Sequence, residues 1–293
     1  MSRFRHFLAI DWSGAKGARQ KGIALALADS EGGAPVLVER GKAWSRSEVL
    51  SILRDDLPPD TLVGMDLGIS LPFADCGAFF PGWEHSPSNA KALWALIDEI
   101  CNEDPHLEAT GFVDHPQLAA FFRRHGNREG AHFRCDGATH GRGRFRVTER
   151  AQARMGCKPY SNFNLVGAAQ VGKSSLTGMR LLNRLDGALP VWPVDPLPGH
   201  GSVLVEIYTT LAALDAQRSS ARSKIRTYEE LDHALGALGS QGTGGLGAVS
   251  DHESDALLTA AWLRRVAAED ALWDPRGLTP AIAQTEGWTF GAR

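Results

Sequence analysis

Phe7-Leu8-Ala9-Ile10-Asp11-Trp12-Ser13-Gly14 is a short apolar run that stops on a carboxylate and a glycine turn. Its length and its turn-forming boundary predict a buried strand. The same event recurs at Leu62-Val63-Gly64-Met65-Asp66 and at Val203-Leu204-Val205-Glu206. A carboxylate at the end of a buried strand is costly unless something pairs with it. Three of them point to one shared site closed by a metal.

Outward from Asp11, residues 22–28 and 35–44 are predicted as further strands, with glycine turns between them. Ser45-Arg46-Ser47-Glu48 has the form of a capping box and predicts a helix to Arg54, stopped by Pro58-Pro59. A fourth strand follows over 61–66. Residues 73–190 do not continue the sheet. Helices are predicted there over 90–101, 116–124, 147–157 and 174–186, while 125–146, rich in Gly and Arg, reads as a mobile loop or lid. The sheet resumes at 203–208, and helices are predicted over 227–238 and 251–270. The expected architecture is α/β: a mixed five-stranded sheet in the order β-β-β-α-β…β-α with a large, mainly helical insertion. Residues 1–72 and 200–270 would form the core, 73–199 an inserted helical and basic subdomain, and 271–293 a tail packing on the core.

The 293 residues are 43 % hydrophobic and 22 % charged, the composition of an ordinary globular chain able to bury a full core. A net charge of −3 excludes polyanion binding by bulk charge. The charge is uneven, however: residues 123–158 hold ten Lys/Arg against three Asp/Glu, which suggests one face that meets an anion. Cys76, Cys101, Cys135 and Cys157 have no metal-ligand spacing and read as reduced thiols. The apolar run before Asp11 is too short for a signal segment or a membrane span, so a cytoplasmic protein with no membrane partner is expected.

If the first and fourth strands are neighbours, Asp11 and Asp66 end side by side. In Asp251-His252-Glu253-Ser254-Asp255 the i, i+4 spacing puts Asp251 and Asp255 on one helical face, from which Asp255 can join them. Clustered carboxylates stay ionised only beside a cation, and an oxygen-rich set favours Mg²⁺ or Mn²⁺. Such ions can clamp the attacking and leaving oxygens of a phosphodiester. The expected metal ligands are Asp11, Asp66, Asp251 and Asp255. Glu206 would be a fourth ligand or the base that orients water, and His252 would position water or protonate a leaving group. Asp11 reads equally well as a turn cap, and Asp251 more readily as a helix N-cap.

These residues carry a resemblance. Ile10-Asp11-x-Ser13-Gly14, Gly64-Met65-Asp66-Leu67-Gly68-x-x-x-Pro72, Arg146-Val147-Thr148-Glu149, Val205-Glu206-Ile207-Tyr208 and Asp251-His252-x-x-Asp255-Ala256 occur in this order over residues 7–265. In this the chain resembles the predicted-nuclease family called domain of unknown function 429. The resemblance implies a ribonuclease H-like fold and metal-dependent phosphodiester hydrolysis, with nucleic acid or another phosphoester as substrate. Where many members have another glycine-rich turn after the first Asp, this chain has Trp12-Ser13.

Gly167-Ala168-Ala169-Gln170-Val171-Gly172-Lys173-Ser174 matches the phosphate-cradling pattern G-x-x-x-x-G-K-S, although two Asn in Asn162-Phe163-Asn164-Leu165-Val166 make a poor leading strand. It opens an alternative, a P-loop-type ATP- or GTP-binding phosphotransferase or NTPase. Even without nucleotide, Gly172, Lys173 and Ser174 could hold a substrate phosphate. Ser13, Lys16, Arg142, Arg144 and Arg146 complete the expected phosphate-binding set, with Phe133 and Phe145 available to stack on bases. The basic segment reads equally as a solvated loop paired with the acidic body, and Glu149 as a structural ion-pair partner. A third reading is a non-catalytic protein that binds nucleic acid or a partner.

Overall fold

The computed structural model describes residues 3–126, 128–135, 141–167, 170–218 and 224–293. Its elements run β1 (His6–Asp11), β2 (Ala24–Asp29), β3 (Val36–Leu37), α1 (Arg46–Ser51), β4 (Thr61–Asp66), α2 (Ala90–Ile100), α3 (Thr110–Asp114), β5 (Arg123–Arg124), β6 (Arg128–Glu129), α4 (Val147–Arg154), α5 (Val171–Arg184), β7 (Val191–Trp192), β8 (Val203–Glu206), α6 (Thr209–Asp215), α7 (Tyr228–Ala237), α8 (Asp251–Val266), α9 (Asp270–Trp273) and α10 (Pro280–Thr285). Six strands form one mixed sheet in the order β3-β2-β1-β4-β8-β7. β2 is antiparallel to both neighbours, whereas β1, β4, β8 and β7 run parallel. β7 makes six strands of the expected five.

Period-two alternation assigns the two faces of the sheet. Leu8, Ile10, Leu25, Val63, Met65 and Leu204 share one core with Val49 of α1, Leu93 and Ile97 of α2, and Leu176 and Met179 of α5. The segment 73–199 therefore covers one sheet face and shares its core. The opposite face is built from small residues: Ala9 on β1, Ala24, Ala26 and Ala28 on β2, and Gly64 on β4. A Cβ on Gly64 would fall 2.8 Å from Ile207 Cγ2 and 2.9 Å from Leu263 Cδ1. This flat surface lets α8 lie close across β1 and β2 with Ala256, Ala260 and Ala261 buried. Ser250 caps α8 through a capping box with Glu253, so Asp251 is the first helical residue and not the cap.

Several elements differ from the expectation for local reasons. The strand expected over 35–44 is only Val36–Leu37, an edge strand following Pro35. Over 116–124 one 3₁₀ turn, Ala119–Phe121, leads directly into β5. Within the arginine-rich segment Phe133 and Phe145 are buried, so neither is available to stack on a base. The tail is well anchored. Trp288 and Phe290 are buried, the Phe290 amide donates to the Glu206 carbonyl at 2.8 Å, and Glu286 accepts from the amides of Phe73, Ala74 and Val147. Among the described residues no helix is long and apolar enough to cross a membrane.

Candidate functional site

Asp11 and Asp66 are register partners at the carboxyl ends of adjacent parallel strands, the edge at which open α/β sheets bind ligands. Alternation sends both side chains to the α8 side, after Phe7 and Ala9 on one strand and Leu62 and Gly64 on the other. The first turns of α8 meet them there. His252 Nδ1 lies 2.6 Å from Asp11 Oδ2. Asp11, Asp251, His252 and Asp255 line one cavity of about 180 Å³ together with Lys224 and Ile225. Asp66 instead opens onto a larger neighbouring cleft of about 470 Å³.

The electrostatics are those of carboxylates crowded away from water. Burial raises the proton affinity of Asp11, and the hydrogen bond and charge of His252 oppose it. Asp66 is raised well above the ordinary carboxylate range by burial, then by Asp11, Asp255 and Glu206, although it accepts the Thr209 amide. Asp255 is pushed up to about 7, by burial first and then by Asp11 and Asp251. His252 is raised chiefly by its bond to Asp11. Asp251 moves the other way, lowered by its ion pair with Lys224. Among the described residues no three His, Cys, Asp or Glu side chains are grouped closely enough to enclose a metal ion.

Glu206 does not join this cluster. It pairs in register with Met65, so its side chain leaves the opposite face from Asp66. Its oxygens accept from Arg146 Nη1 at 2.8 Å, Arg146 Nη2 at 2.5 Å, the Ile69 amide at 2.8 Å and the Thr289 hydroxyl. A carboxylate so fully engaged is neither a free ligand nor a base. Arg146 is correspondingly not a phosphate contact: 1 % exposed, it also clasps Glu149 at 2.6 Å and donates to the Glu286 carbonyl. Burial raises Glu149 even against Arg146. Arg144 is likewise committed, bonded twice to Asp75 and to the carbonyls of Pro72, Ala78 and Phe79 with no exposure. Arg142 is exposed and stacks near Tyr160, 5.7 Å from the ring centre. Arg124 and Arg134 also have carboxylate partners, Asp114 and Glu129. Among the described residues, Arg123, Arg124, Arg134, Arg144 and Arg146 of the basic segment are paired with the protein's own acids.

The glycine pattern at 167–174 adopts another role. Residues 168 and 169 lie outside the described residues. Among the described residues no strand precedes the helix, and Asn164 makes an isolated bridge to Arg123. The Gly172 amide donates to the Asn164 carbonyl at 3.0 Å, and a Cβ there would fall 2.5 Å from the Asn162 oxygen. Gly172 thus serves packing, and its N–H is not presented to a phosphate. What the segment does supply is a wall. Lys173, Ser174 and Ser13 line the same cleft as Asp66. Lys173 has no ion-pair partner among the described residues. Lys16 is exposed and faces a different cavity.

The contacts that hold this wall to the sheet are not evident from the sequence. A Cβ on Gly14 would meet the Lys173 carbonyl carbon at 2.3 Å and the Ser174 nitrogen at 2.4 Å. The Gly68 amide donates to Ser175 Oγ, and Trp12 Nε1 to Thr177 Oγ1. Buried Arg46 fixes the turn from beneath through the carbonyls of Ser13 and Ala15. Both strand-end turns are therefore seated on the first turns of α5. Asn162, Tyr160, Gln152 and Tyr208 also line the cleft, as do His252 and the Arg146, Glu149 and Glu206 network. Of these signals only Gly14, as a turn residue, and Gly68, within the motif that carries the resemblance, were visible. Comparison of the chain with protein families, with curated proteins and with solved structures returned no match.

Proposed function

We propose that this chain is a metal-dependent phosphoester hydrolase of ribonuclease H-like fold, acting at the carboxyl ends of β1 and β4. The sheet supports the fold half of the reading. Its first three strands are an antiparallel run, α1 crosses to a parallel β4, and α8 returns over the strand ends, the element order that the resemblance implies. The observation that carries the activity is that burial and neighbouring carboxylates raise both Asp66 and Asp255, while Asp66 lines a cleft together with Lys173 and Ser174.

Asp11, Asp66 and Asp255 offer the hard oxygen donors that Mg²⁺ or Mn²⁺ takes, and the near counter-charges to their excess charge are half-exposed His252 and, for Asp255, Lys224. When bound, the ion would neutralise that charge and supply a polarised water. The chain's own groups do the rest. Asp11 fixes the ring of His252 through Nδ1, leaving Nε2 for proton transfer to a leaving oxygen. Lys173 and Ser174 hold non-bridging phosphate oxygens across the cleft.

The test is hydrolysis of bis(p-nitrophenyl) phosphate and of short DNA and RNA strands with Mg²⁺ or Mn²⁺, for the wild type and for Asp11→Asn and Asp255→Asn. Turnover that needs the metal and is lost in both folded variants is the expected result. Turnover at the wild-type rate in either variant would end the reading, and strand binding without turnover would leave a binding protein.

A further inference from the structure

Cys76 and Cys135 are distant in sequence, and both are free and partly exposed, whereas Cys101 and Cys157 are buried. The Cys76 and Cys135 thiols lie within hydrogen-bonding reach of each other. Thiols already in mutual reach meet the first requirement of a disulfide, which backbones set apart could not.

Arg144 makes this meeting. Its side chain holds the turn that carries Cys76: it bonds twice to Asp75 and donates to the carbonyls of Ala78 and Phe79. Within that turn the Cys76 and Gly77 amides donate to the Phe73 carbonyl at 3.2 Å and 2.7 Å. The Arg144 amide donates at 3.2 Å to the carbonyl of Phe133, just upstream of Cys135. A Cβ on the neighbouring Gly143 would fall 2.5 Å from the Phe133 ring, so the two strands of chain are closely seated. One buried residue thus grips both cysteine-bearing segments, and its charge acts on both thiols.

We propose that Cys76 and Cys135 form a reversible disulfide by exchange with a small-molecule disulfide such as oxidised glutathione, fastening the arginine-rich segment to the turn Phe73–Gly77. The Cys76 thiol is pushed up to about 12, by burial first and then by Cys135, so it is not the first to attack. Cys135 Sγ gives up its proton and attacks one sulfur of oxidised glutathione. The glutathione S–S bond breaks, and one glutathione leaves as a thiolate that takes up a proton. Loss of the Cys135 thiol removes a group that opposes ionisation of Cys76, while Arg144 still favours the Cys76 thiolate. Cys76 Sγ then attacks Cys135 Sγ and expels the second glutathione. Two cysteines are oxidised, and one oxidised glutathione is reduced to two thiols. None of this depends on what the cleft hydrolyses.

The test treats the folded protein with oxidised glutathione, blocks remaining thiols with iodoacetamide and maps the peptides without reduction. A Cys76–Cys135 cross-link is expected, reversed by dithiothreitol, with Cys101 and Cys157 alkylated only after unfolding. In Cys76→Ser the glutathione on Cys135 has no thiol to displace it and should persist at least about tenfold longer than in wild type. In Cys135→Ser, Cys76 should take up glutathione at least about tenfold more slowly than Cys135 does in Cys76→Ser. Cross-linked wild type should unfold at a higher urea concentration than the reduced protein, a shift that is absent in both variants. Glutathione that stays on Cys135 of the wild type without a cross-link, or a cross-link to Cys101 or Cys157 instead, would overturn the proposal.

Discussion

Asp11 at the end of β1 and His252 in the first turn of α8 meet at 2.6 Å between Oδ2 and Nδ1, although 241 residues separate them in the chain. The pair depends on the alanine face that lets α8 approach the sheet. It also fixes the titration of both groups. A histidine raised by a carboxylate contributes stability that is fully present below its unfolded value, near 6.5, and lost as pH rises through its folded value. His252 is half-exposed, so screening keeps this contribution to at most about 1 kcal/mol. The larger effect is expected on catalysis. If protonated His252 serves the leaving oxygen, kcat falls on the alkaline side above pH 6.5, and His252→Ala flattens that limb as well as lowering the rate. An unchanged alkaline limb in the variant would remove His252 from the reaction.

Asp255 has the opposite linkage. Its carboxyl is pushed up to about 7 by burial and by Asp11, so between the ordinary carboxylate value and pH 7 the unfolded chain ionises while the folded one keeps its proton. Metal-free protein should therefore lose stability as pH rises from about 4 to 7, by roughly 2–4 kcal/mol from this residue. Asp255→Asn removes the penalty. The variant should match wild type in urea unfolding at pH 4, exceed it at pH 8, and lose phosphoester hydrolysis. A variant less stable than wild type at pH 8 would contradict this account of the cluster.

Divalent ions should act on the same charge from the other side. Mn²⁺ bound to folded protein alone raises stability by RT ln(1 + [L]/Kd), about 2.7 kcal/mol at one hundred times Kd. Melting followed against Mn²⁺ concentration at pH 7.5 should show this rise in wild type and little of it in Asp11→Asn. Equal rises in both would locate the ion elsewhere.

The strand endings at Asp11 and Asp66 were legible because an apolar run closed by a carboxylate is a local signal. Asp255 was legible because i, i+4 spacing survives in the helix. Glu206 carried the same local signal and belongs elsewhere, because the sequence does not reveal face parity between strands. The register of Met65 with Glu206 turns the glutamate away from Asp66. Arg144 and Arg146 looked like a free basic patch for a related reason: their partners Asp75, Glu206 and the Glu286 carbonyl are 60 to 140 positions away. The glycine-lysine pattern was locally correct in composition, and the weakness of the strand before it was legible in the two Asn of 162–166.

Arg146 stands between two buried carboxylates, Glu149 and Glu206, and is among the largest fully buried side chains of the protein. Removing one partner of a buried ionic group leaves uncompensated charge and costs about 3–5 kcal/mol, whereas replacing the whole group with apolar residues is often neutral. Arg146→Met should therefore destabilise the fold by about that amount. The triple variant with Glu149→Gln and Glu206→Gln, which removes both charges but keeps acceptors for the Arg146 and Ile69 amides and the Thr289 hydroxyl, should recover most of it, even though it changes more residues. Urea unfolding of the single and triple variants distinguishes a balanced network from simple packing loss, in which the triple variant would be the least stable.

Gly14 and Gly64 separate packing tolerance from site geometry. At Gly64 an added methyl meets side-chain atoms of Ile207 and Leu263 and no backbone, so repacking absorbs it and Gly64→Ala should cost about 1–3 kcal/mol and move little else. At Gly14 the methyl meets backbone atoms of Lys173 and Ser174, at 2.3 Å and 2.4 Å, and no side-chain rotation relieves that. The Asp11 turn and the start of α5 must then part, carrying Lys173 away from the carboxylates. A displacement near 1 Å in a reacting geometry costs on the order of 10²-fold in rate. Gly14→Ala should consequently lose far more kcat per unit of lost stability than Gly64→Ala does. Comparable losses of rate at matched stability would mean that the seating of the turn on α5 has no part in the chemistry.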